Sequence, residues 1–323
     1  MLTVVLPNFN HARFLPYALD ALLGQTLPAD EIIVIDDAST DNSVEIVESY
    51  CRVNSGIKLI VNRANQGVVA NMNDGLAIAK HDYVFFAAAD DVVRPRLFET
   101  AIRLLQEHPE AALFSARSDI IDPEGRSLGV FATPTPPTKA GYISPECAAR
   151  QLIRDDSWFM GNTTIYRRDA LAAAGGFPLE LGAFTDGYVS RLLALRHGAC
   201  FSSEVLGSWR RMEGGVAWEQ STNEDATNKL IDLAERRMRG AKVFPEEYVQ
   251  RWKRRHLFSA RRFMLSREFG RGNRNAARLL WKGLATLKIS WLFLKLRPWD
   301  IATVARRRAF DKPAQHGSGR DFS

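Results

Sequence analysis

The sequence has few cysteines and none of the spacings that mark a cysteine-bound metal. Its 323 residues contain only Cys51, Cys147 and Cys200, and no C-x-x-C pair occurs. An odd number of widely separated cysteines argues against a disulfide framework. We therefore predict reduced thiols and a cytoplasmic setting.

Long apolar segments are also missing. No run of about 18 apolar residues occurs, so no transmembrane helix is expected. The first segment, MLTVVLPNFN, has neither the basic part nor the long apolar part of a secretory signal, so no signal peptide is expected. The hydrophobic content of 46% and the charged content of 25% are those of a folded soluble protein. The length predicts one large domain with an appendage, or two domains.

Glycine-rich phosphate-binding motifs do not follow any predicted strand. The pattern G-x-G-x-x-G is absent after the strands, which disfavours a nicotinamide or flavin site of the Rossmann type. The pattern G-x-x-x-x-G-K-[ST] is absent as well, which disfavours a P-loop. A nucleotide site in this chain would need a different design.

Charge is divided unevenly along the chain. Residues 221–323 contain 24 Lys and Arg against 10 Asp and Glu, whereas residues 1–220 contain 19 against 27. An acidic body joined to a basic region bears on which partners the protein binds, but it does not predict the fold.

Strand and helix signals alternate over the first 120 residues. Short apolar runs such as LTVVLP, EIIVID and YVFFAAA are separated by segments with apolar residues at helical spacing. This alternation predicts βαβ units and a mainly parallel central sheet with helices on both faces. Ligands of such sheets bind at the carboxyl ends of the strands. Residues 122–142, rich in Pro, Gly and Thr, predict a hairpin-like excursion and a loop.

Two predicted strands end in paired carboxylates, Asp36 with Asp37 and Asp90 with Asp91. Successive side chains of a strand point to opposite sides, so one acid of each pair can face a ligand while the other holds a loop. Carboxylates on a loop are the ligands that Mg²⁺ and Mn²⁺ prefer. The alternative for both pairs is helix N-capping, which Asp also favours.

The combined motifs resemble family 2 glycosyltransferases, which have the GT-A fold. The resemblance lies in VVLPNFNHARFLPYALDALLGQTLPADEIIVIDDASTDNS and in NRANQGVVANMNDGLAIAKHDYVFFAAADDVVRP. It is strong over residues 1–115 and looser over 155–216. It implies an inverting, metal-dependent transfer of a sugar from a nucleotide-diphosphate donor.

The resemblance also implies roles for single residues. Asp91 would coordinate Mg²⁺ or Mn²⁺ at the diphosphate, and Asp90 would contact the ribose or the sugar. The positions that match the family's base, ribose and nucleotide contacts are Pro7, Asn8, Phe9, Asp37, Asn65, Gly67 and Asn71.

The segment GAFTDGYVSRLLALRHG matches the family's general-base helix. Asp186 is at the position of the base, while Thr185 replaces the Glu that is common before it. A single displacement needs one carboxylate to take the proton of the acceptor hydroxyl. The alternative is an ordinary helix N-cap at Asp186, and Arg191 is placed to pair with an acid.

The segment GSWRRMEGGVA resembles the family's aromatic-Arg-x-His motif. Met212 stands where His is common, and a thioether is a poor ligand for Mg²⁺ or Mn²⁺. Arg210 and Arg211 are predicted to neutralise the phosphates of the donor. The alternative for these arginines is simple surface solvation.

The segment SWFMGN precedes the base helix and contains aromatic and amide side chains. Trp158, Phe159 and Asn162 are candidates for a platform that binds the acceptor sugar. The alternative for Trp158 and Phe159 is ordinary packing in the core.

The basic region, 221–310, alternates Arg and Lys with Trp, Phe and Leu. It predicts helices that contact an anionic membrane from the cytoplasmic side. The alternative is helices that pack on the body of the protein. No nucleic-acid-binding module accompanies the charge, so nucleic acid is not expected as a partner.

These patterns divide the chain into a nucleotide-sugar half (1–115), an acceptor and base half (116–220), the basic helical region (221–310) and a disordered tail (311–323). They predict a hexosyltransferase that acts on a glycan or polyprenyl-linked acceptor in cell-surface polysaccharide synthesis. Two alternatives stay open: a nucleotidyltransferase, and a non-catalytic relative that binds nucleotide or glycan, which Thr185 and Met212 suggest.

Overall fold

Strands and helices alternate as the hydrophobic pattern predicts. The structure, a computed structural model, describes residues 1–131, 140–156, 158–212 and 224–270, with no side-chain description after 261. The chain divides into two units, Met1–Leu257 and Phe258–Ser323. The architecture below is that of the first unit. In the second, the description covers the helical backbone up to Gly270.

The described strands are β1 (Leu2–Asn8), β2 (Glu31–Asp36), β3 (Ile57–Val61), β4 (Tyr83–Phe86), β5 (Val92–Val93), β6 (Leu113–Ile121), β7 (Ser127–Val130), β8 (Ala140–Ile143), β9 (Ile165–Arg167) and β10 (Ala199–Arg210). The described α-helices are α1 (Leu15–Leu23), α2 (Ser43–Val53), α3 (Val68–Ile78), α4 (Leu97–Glu107), α5 (Pro145–Arg154), α6 (Arg168–Ala173), α7 (Thr185–His197), α8 (Glu224–Ala241) and α9 (Glu246–Gly270). Two 3-10 helices cover Gly161–Thr163 and Leu179–Phe184.

The described strands form one mixed sheet in the order β3-β2-β1-β4-β9-β6-β10-β5, with β7 beside β6 and β8 beside β10. The first four strands are all parallel, as predicted. β9 runs antiparallel between β4 and β6, and β5 runs antiparallel to β10. β6 and β7 form the predicted hairpin, whose following residues 132–139 lie outside the described part.

Two hydrophobic cores cover the two faces of the sheet. Alternate residues of one strand serve different cores: on β1, Val4 packs in the core that contains α1 and α4, and Val5 in the core that contains α5 and α7. All six residues of β2 are buried. Continuous burial is expected for parallel strands with helices on both faces.

The basic region begins by packing on the body. Ile231 and Met238 of α8, and Tyr248 and Trp252 of α9, are buried in the same core as α7. For residues 224–257, the packing alternative therefore describes what is observed. The rest of the predicted membrane-binding region lies outside the described side chains. No helix in the described ranges is both long and apolar enough to cross a membrane.

Candidate active site

The strand order brings three strand ends to one edge of the sheet. β1 lies between β2 and β4, and all three run in the same direction. The amide of Asp37 donates to the carbonyl of Asn8 (2.8 Å), and the amide of Ala87 donates to the carbonyl of Val5 (2.9 Å). The polar segments that follow these strands are therefore neighbours.

Asp36 builds the turn after β1. Its carboxylate accepts hydrogen bonds from Asn8 Nδ2 (2.7 Å), Ser39 N (2.9 Å) and Ser39 Oγ (2.7 Å). Asn8 is buried behind this network, while Phe9 is 42% exposed and Pro7 is half-buried. Phe9 is thus the member of the predicted base-binding turn with a free aromatic surface.

Asp37 holds the loop that precedes α3. Its two carboxylate oxygens accept from Asn62 Nδ2 (2.9 Å) and from the amides of Gln66 (2.9 Å) and Gly67 (2.8 Å). Burial raises the pKa of Asp37, but these hydrogen bonds outweigh burial and leave the pKa below its ordinary value. The negative charge of Asp37 is therefore well compensated within the protein.

The other predicted residues of this loop differ in their access to a ligand. Asn65 is exposed, and its Oδ1 accepts from the Gly67 amide (3.0 Å). Gly67 precedes α3 with φ +88°. Asn71 is buried, with Oδ1 bound to Asn62 Nδ2 (2.7 Å). Asn62, which the sequence analysis missed, links Asp37 to Asn71; its position directly after β3 was the available signal.

The second acidic pair lies between β4 and β5. Asp91 is buried, and its Oδ1 accepts from the backbone amide of Arg210 on β10 (2.8 Å). Burial, and next the charge of the half-buried Asp90, raise the pKa of Asp91 to about 8, while hydrogen bonds from the Arg210 amide and from the Asn162 side chain oppose the rise. A cation beside this pair would relieve both causes.

Arg210 has a structural role rather than the predicted contact with donor phosphates. It is only 4% exposed, and its guanidinium donates to the carbonyls of Asp90 (2.7 Å), Asp122 (3.0 Å) and Pro123 (2.9 Å). It also lies over the ring of Phe14 (4.9 Å to the centroid). We therefore correct the phosphate assignment of Arg210, since its charge is used to hold the backbone around the acidic pair.

Arg211 remains a candidate for the predicted contact with the donor phosphates. Its side chain is exposed, and its backbone amide donates to the carbonyl of Ile121 (2.9 Å). The half-buried Met212 follows, after which residues 213–220 are outside the described part. Over the described ranges, no three His, Cys, Asp or Glu side chains meet as a metal cluster. Within these ranges, therefore, no third such side chain joins Asp90 and Asp91.

Asp186 lies in the first turn of α7 and is half-buried. Burial raises the pKa of its carboxyl, and the Gly187 amide (2.6 Å) and the charge of Arg191 oppose that rise only in part. Arg191 itself donates to the carbonyls of Gly187 (2.8 Å) and Asp156 (2.5 Å). A carboxylate with a raised pKa is suited to accept a proton near neutral pH.

One short segment lies next to both the predicted base, Asp186, and the predicted metal ligand, Asp91. A Cβ at Gly161 would lie 3.0 Å from Asp186 Oδ2, so Gly161 is adjacent to the predicted base. The next residue, Asn162, lines the same small cavity as Asp91. Asp91 and Asp186, which are 95 positions apart in the sequence, therefore flank a single 3-10 helix.

Trp158 does not fit the predicted acceptor platform. It has no exposed surface, and its ring stacks on Phe159 (centroids 3.8 Å apart) and meets the edge of Phe201 (5.9 Å). We therefore correct this assignment, because Trp158 is a core residue beneath the segment that carries Asn162. Asn162 itself is half-buried beside Asp91 and remains a candidate.

Sequence comparison identifies the family. The profile of the family described as Glycosyl transferase family 2 matches residues 3–171, more than half of the chain. The chain therefore belongs to glycosyl transferase family 2, as its motifs predicted.

Several curated relatives share part of this chain. An uncharacterised glycosyltransferase of Nostoc sp. is 30% identical over 182 residues, covering 55% of this chain and 54% of the relative. The uncharacterised glycosyltransferase YibD of Escherichia coli is 38% identical over 106 residues, covering 33% and 30%. A poly(ribitol-phosphate) beta-glucosyltransferase of Bacillus spizizenii is 35% identical over 95 residues, covering 28% and 15%. The chain thus spans about half, or less, of the length of these relatives.

Solved structures show the fold. S. aureus TarS in complex with UDP-GlcNAc has a TM-score of 0.61 at 20% identity, covering 83% of this chain and 72% of that one. The mannosyltransferase PcManGT from Pyrobaculum calidifontis, in complex with GDP-Man and Mn²⁺, has a TM-score of 0.59 at 20% identity, covering 96% and 87%. These similarities confirm the predicted GT-A fold.

Proposed function

We propose that this protein is an inverting glycosyltransferase. It moves a sugar from a nucleotide-diphosphate donor to a hydroxyl of a glycan or lipid-linked acceptor, in the synthesis of cell-surface polysaccharide. Membership of glycosyl transferase family 2 supports the reaction class. The nucleotide sugars in the complexes of TarS and PcManGT support the donor class.

The observation that carries the proposal is the position of the two acids about Gly161 and Asn162. Gly161 lies next to Asp186, and Asn162 lies next to the buried Asp91. Adjacent Cα atoms are about 3.8 Å apart, so only this two-residue segment separates Asp91 from Asp186, whose pKa is raised. A displacement at a sugar carbon needs this separation of tasks, because charge leaves on one side while a proton is removed on the other.

Asp91 and its surroundings fit a divalent cation, Mg²⁺ or Mn²⁺. The carboxylate is buried next to Asp90, and a cation would offset the cost of that arrangement. Mg²⁺ is commonly held by one or two carboxylates together with substrate phosphates and water, so one ligand from the protein is sufficient. When bound, such an ion stabilises the negative charge of the departing diphosphate.

The residues of the chain divide the remaining tasks. Asp186 takes the proton of the acceptor hydroxyl while that oxygen bonds to C1 of the sugar and the bond from C1 to the diphosphate breaks. Arg211, whose exposed side chain directly follows β10, attracts the leaving diphosphate. Asp37 fixes the loop of Asn65 and Gly67 against which the nucleotide lies, and the exposed ring of Phe9 stacks on the base.

The cytoplasmic face of a membrane remains our proposed location. It is supported by the basic composition of residues 221–310. The part of this region up to Leu257 packs on the body, so any membrane contact would be made by exposed side chains or by later residues.

The test uses the full-length chain and the change Asp186→Asn. A thermal-shift screen of nucleoside diphosphates, with and without Mn²⁺, identifies the base, because binding stabilises the folded protein. With the matching nucleotide sugar, we expect Asp186→Asn to lower the rate about 10²–10⁴-fold while the nucleotide thermal shift stays the same. The wild-type rate should fall with decreasing pH, with a midpoint above the ordinary Asp value of about 3.9, because only the ionised base accepts a proton.

The matched control is Asp169→Asn, an exposed acid in the first turn of α6. It should leave the rate unchanged. Nucleotide binding without turnover of any donor by the wild type would instead identify a non-catalytic binder, which is the alternative that Thr185 and Met212 favour.

A further inference from the structure

Trp158 is buried and Phe159 is half-buried against it, so the predicted platform presents little aromatic surface, but another aromatic pair lies near Asn162. Trp209 is 39% exposed, and its ring meets the half-buried ring of Phe131 edge to face, with centroids 5.8 Å apart and an angle of 79°. We propose that Trp209 and Phe131 form the platform on which a saccharide acceptor lays its ring, with Asn162 beside it. This inference rests on the proposed sugar transfer and names the acceptor class.

Strand pairing places the two rings on one face of the sheet. Trp209 pairs with Ile120, and Gly207, two residues earlier on β10, pairs with Ser118. The amide of Phe131 donates to the carbonyl of Ser118 (2.9 Å), which continues the pairing of β6 with β7. Paired residues share a face and alternate residues return to it, so all five residues lie on the same side of the sheet.

The same face touches Asn162. Its Nδ2 donates to Ser118 Oγ (3.0 Å), and a Cβ at Gly207 would lie 3.2 Å from that nitrogen. Trp209 is two positions further along β10, about 7 Å from Gly207. The aromatic pair is therefore the outward continuation of the surface that holds Asn162 against Asp91.

Among the described residues, the surface beside the rings is open. Gly129 of β7 pairs with Ile120 on this face, has φ +110°, and would place a Cβ more than 4 Å from any group of the described ranges other than its chain neighbours. A side chain at this position would stand next to the aromatic pair. The glycine thus leaves a flat floor that a pyranose ring can reach.

Asn162 supplies the polar part of the site. Among the described residues, its Oδ1 is buried and has no hydrogen-bond partner. A buried acceptor without a partner costs free energy, and a sugar hydroxyl would satisfy it. A sugar ring presents apolar C–H faces and a rim of hydroxyl groups, so it matches a Trp–Phe surface next to an amide oxygen. A hydrocarbon chain would cover the rings and leave Asn162 unpaired, which is why we infer a saccharide.

The experiment compares the full-length wild type with Trp209→Ala, Trp209→Phe and Val130→Ala. Val130 pairs with Asp119 and lies on the opposite face of the same hairpin, where it is 45% exposed. The probes are the methyl glycosides of glucose, galactose, mannose and N-acetylglucosamine. Their binding is measured by saturation-transfer NMR in the presence of the nucleoside diphosphate selected by thermal shift.

We expect at least one probe to bind the wild type and Val130→Ala equally. Trp209→Ala should weaken its binding about tenfold, which is the range for loss of a central Trp contact, and Trp209→Phe should retain part of the affinity. In transfer assays, the KM for the acceptor should rise in Trp209→Ala while the KM for the donor and the rate of donor hydrolysis stay unchanged.

Equal binding by the wild type and Trp209→Ala, or binding of no probe by the wild type, would overturn the platform. If Trp209→Ala binds phosphatidylglycerol vesicles less well than the wild type does, while its saccharide binding is intact, the platform is also overturned and Trp209 makes a lipid contact. Failure of the proposed sugar transfer is separate, because it appears as absence of donor turnover in every protein, whatever the saccharide probes show.

Discussion

Two pairs of neighbouring aspartates follow two strands of the same sheet, yet their electrostatic environments are opposite. Asp36 and Asp37 accept hydrogen bonds from side chains and backbone amides on all their carboxylate oxygens, and the pKa of Asp37 is lowered. Asp91 is buried next to Asp90, and its pKa is raised to about 8. The same dipeptide therefore serves two purposes.

The difference shows which pair is part of the scaffold and which pair awaits a ligand. The first pair is neutralised by donors from its own chain, so it stabilises the loops that shape the nucleotide site. In the second pair, burial and the charge of Asp90 make ionisation of Asp91 unfavourable, and such a cost to stability persists at sites where a ligand offsets it. The contrast predicts that substitutions at the two pairs have opposite effects on stability.

The largest effect is expected for Asp91→Asn. Removing the carboxylate that we propose to hold the cation at the diphosphate should lower the rate of sugar transfer about 10²–10³-fold, the range for loss of one group that stabilises a developing charge. The thermal stability should rise above about pH 4, because the variant lacks a buried carboxyl group whose ionisation the fold opposes. Mn²⁺ should raise the melting temperature of the wild type and not that of the variant.

The pH dependence of stability tests whether Asp91→Asn stabilises the folded protein. Asp91 has a raised folded pKa, so in metal-free protein it retains a proton that the unfolded chain loses, and stability falls as pH rises from about 4 to about 8. The gain from Asp91→Asn should therefore grow between pH 5 and pH 8 in denaturant titrations. A loss of stability at pH 8 would contradict the contrast between the pairs.

A smaller effect, of opposite sign, is expected for Asp37→Asn. The amide keeps one acceptor oxygen but presents N–H groups to the donors of Gln66 and Gly67, so the loop loses hydrogen bonds to a charged group. The free energy of unfolding should fall by roughly 1.5–3 kcal/mol. The KM for the donor should rise as well.

For Asp37, the folded pKa is lowered, so its stabilisation is present above the unfolded value of about 3.9 and is lost as pH falls through the folded pKa. The difference between wild type and Asp37→Asn should thus shrink in acid. Unchanged stability at pH 7 would show that the loop does not depend on this carboxylate.

The smallest effect is expected for Gly67→Ala. Gly67 has φ +88°, but a Cβ there would meet no atom within 4 Å, so only the backbone conformation is strained. We expect a loss of about 1–2 kcal/mol in the free energy of unfolding, with a modest rise in donor KM. Gly56→Ala, at a position with open space and no positive φ, is the matched control and should show less than half of that loss.

Much of the site could be predicted from the sequence because it is local. The buried strand before Asp90 and Asp91, which ends at Phe86, and the strand that ends at Asp36 follow from hydrophobic runs bounded by polar residues. Parallel strands then bring their carboxyl ends to one edge. Asn8 and Asp37 lie side by side at this edge, and the strand pattern alone was enough to predict that.

The errors concern residues whose role depends on distant partners. The pattern of Arg210 and Arg211 gave no means to tell them apart, whereas in the structure the carbonyls of Asp122 and Pro123 bind Arg210 alone. Trp158 looked like a sugar platform, but the fold places Phe201 against it. Charge and aromaticity predict that a residue can bind a ligand, while burial decides whether it does.

The sequence by itself determined the family, the alternation of strands and helices, and the acidic pairs at the strand ends, because these depend on residues close together in the chain. Only the tertiary structure decided that Asp91 and Asp186 flank Gly161 and Asn162, since that contact depends on β4, β9 and α7 meeting across the sheet. It also decided that the pKa of Asp37 is lowered and that of Asp91 is raised. Burial and hydrogen bonds from distant residues set the pKa of a carboxyl, and a strand-end motif specifies neither.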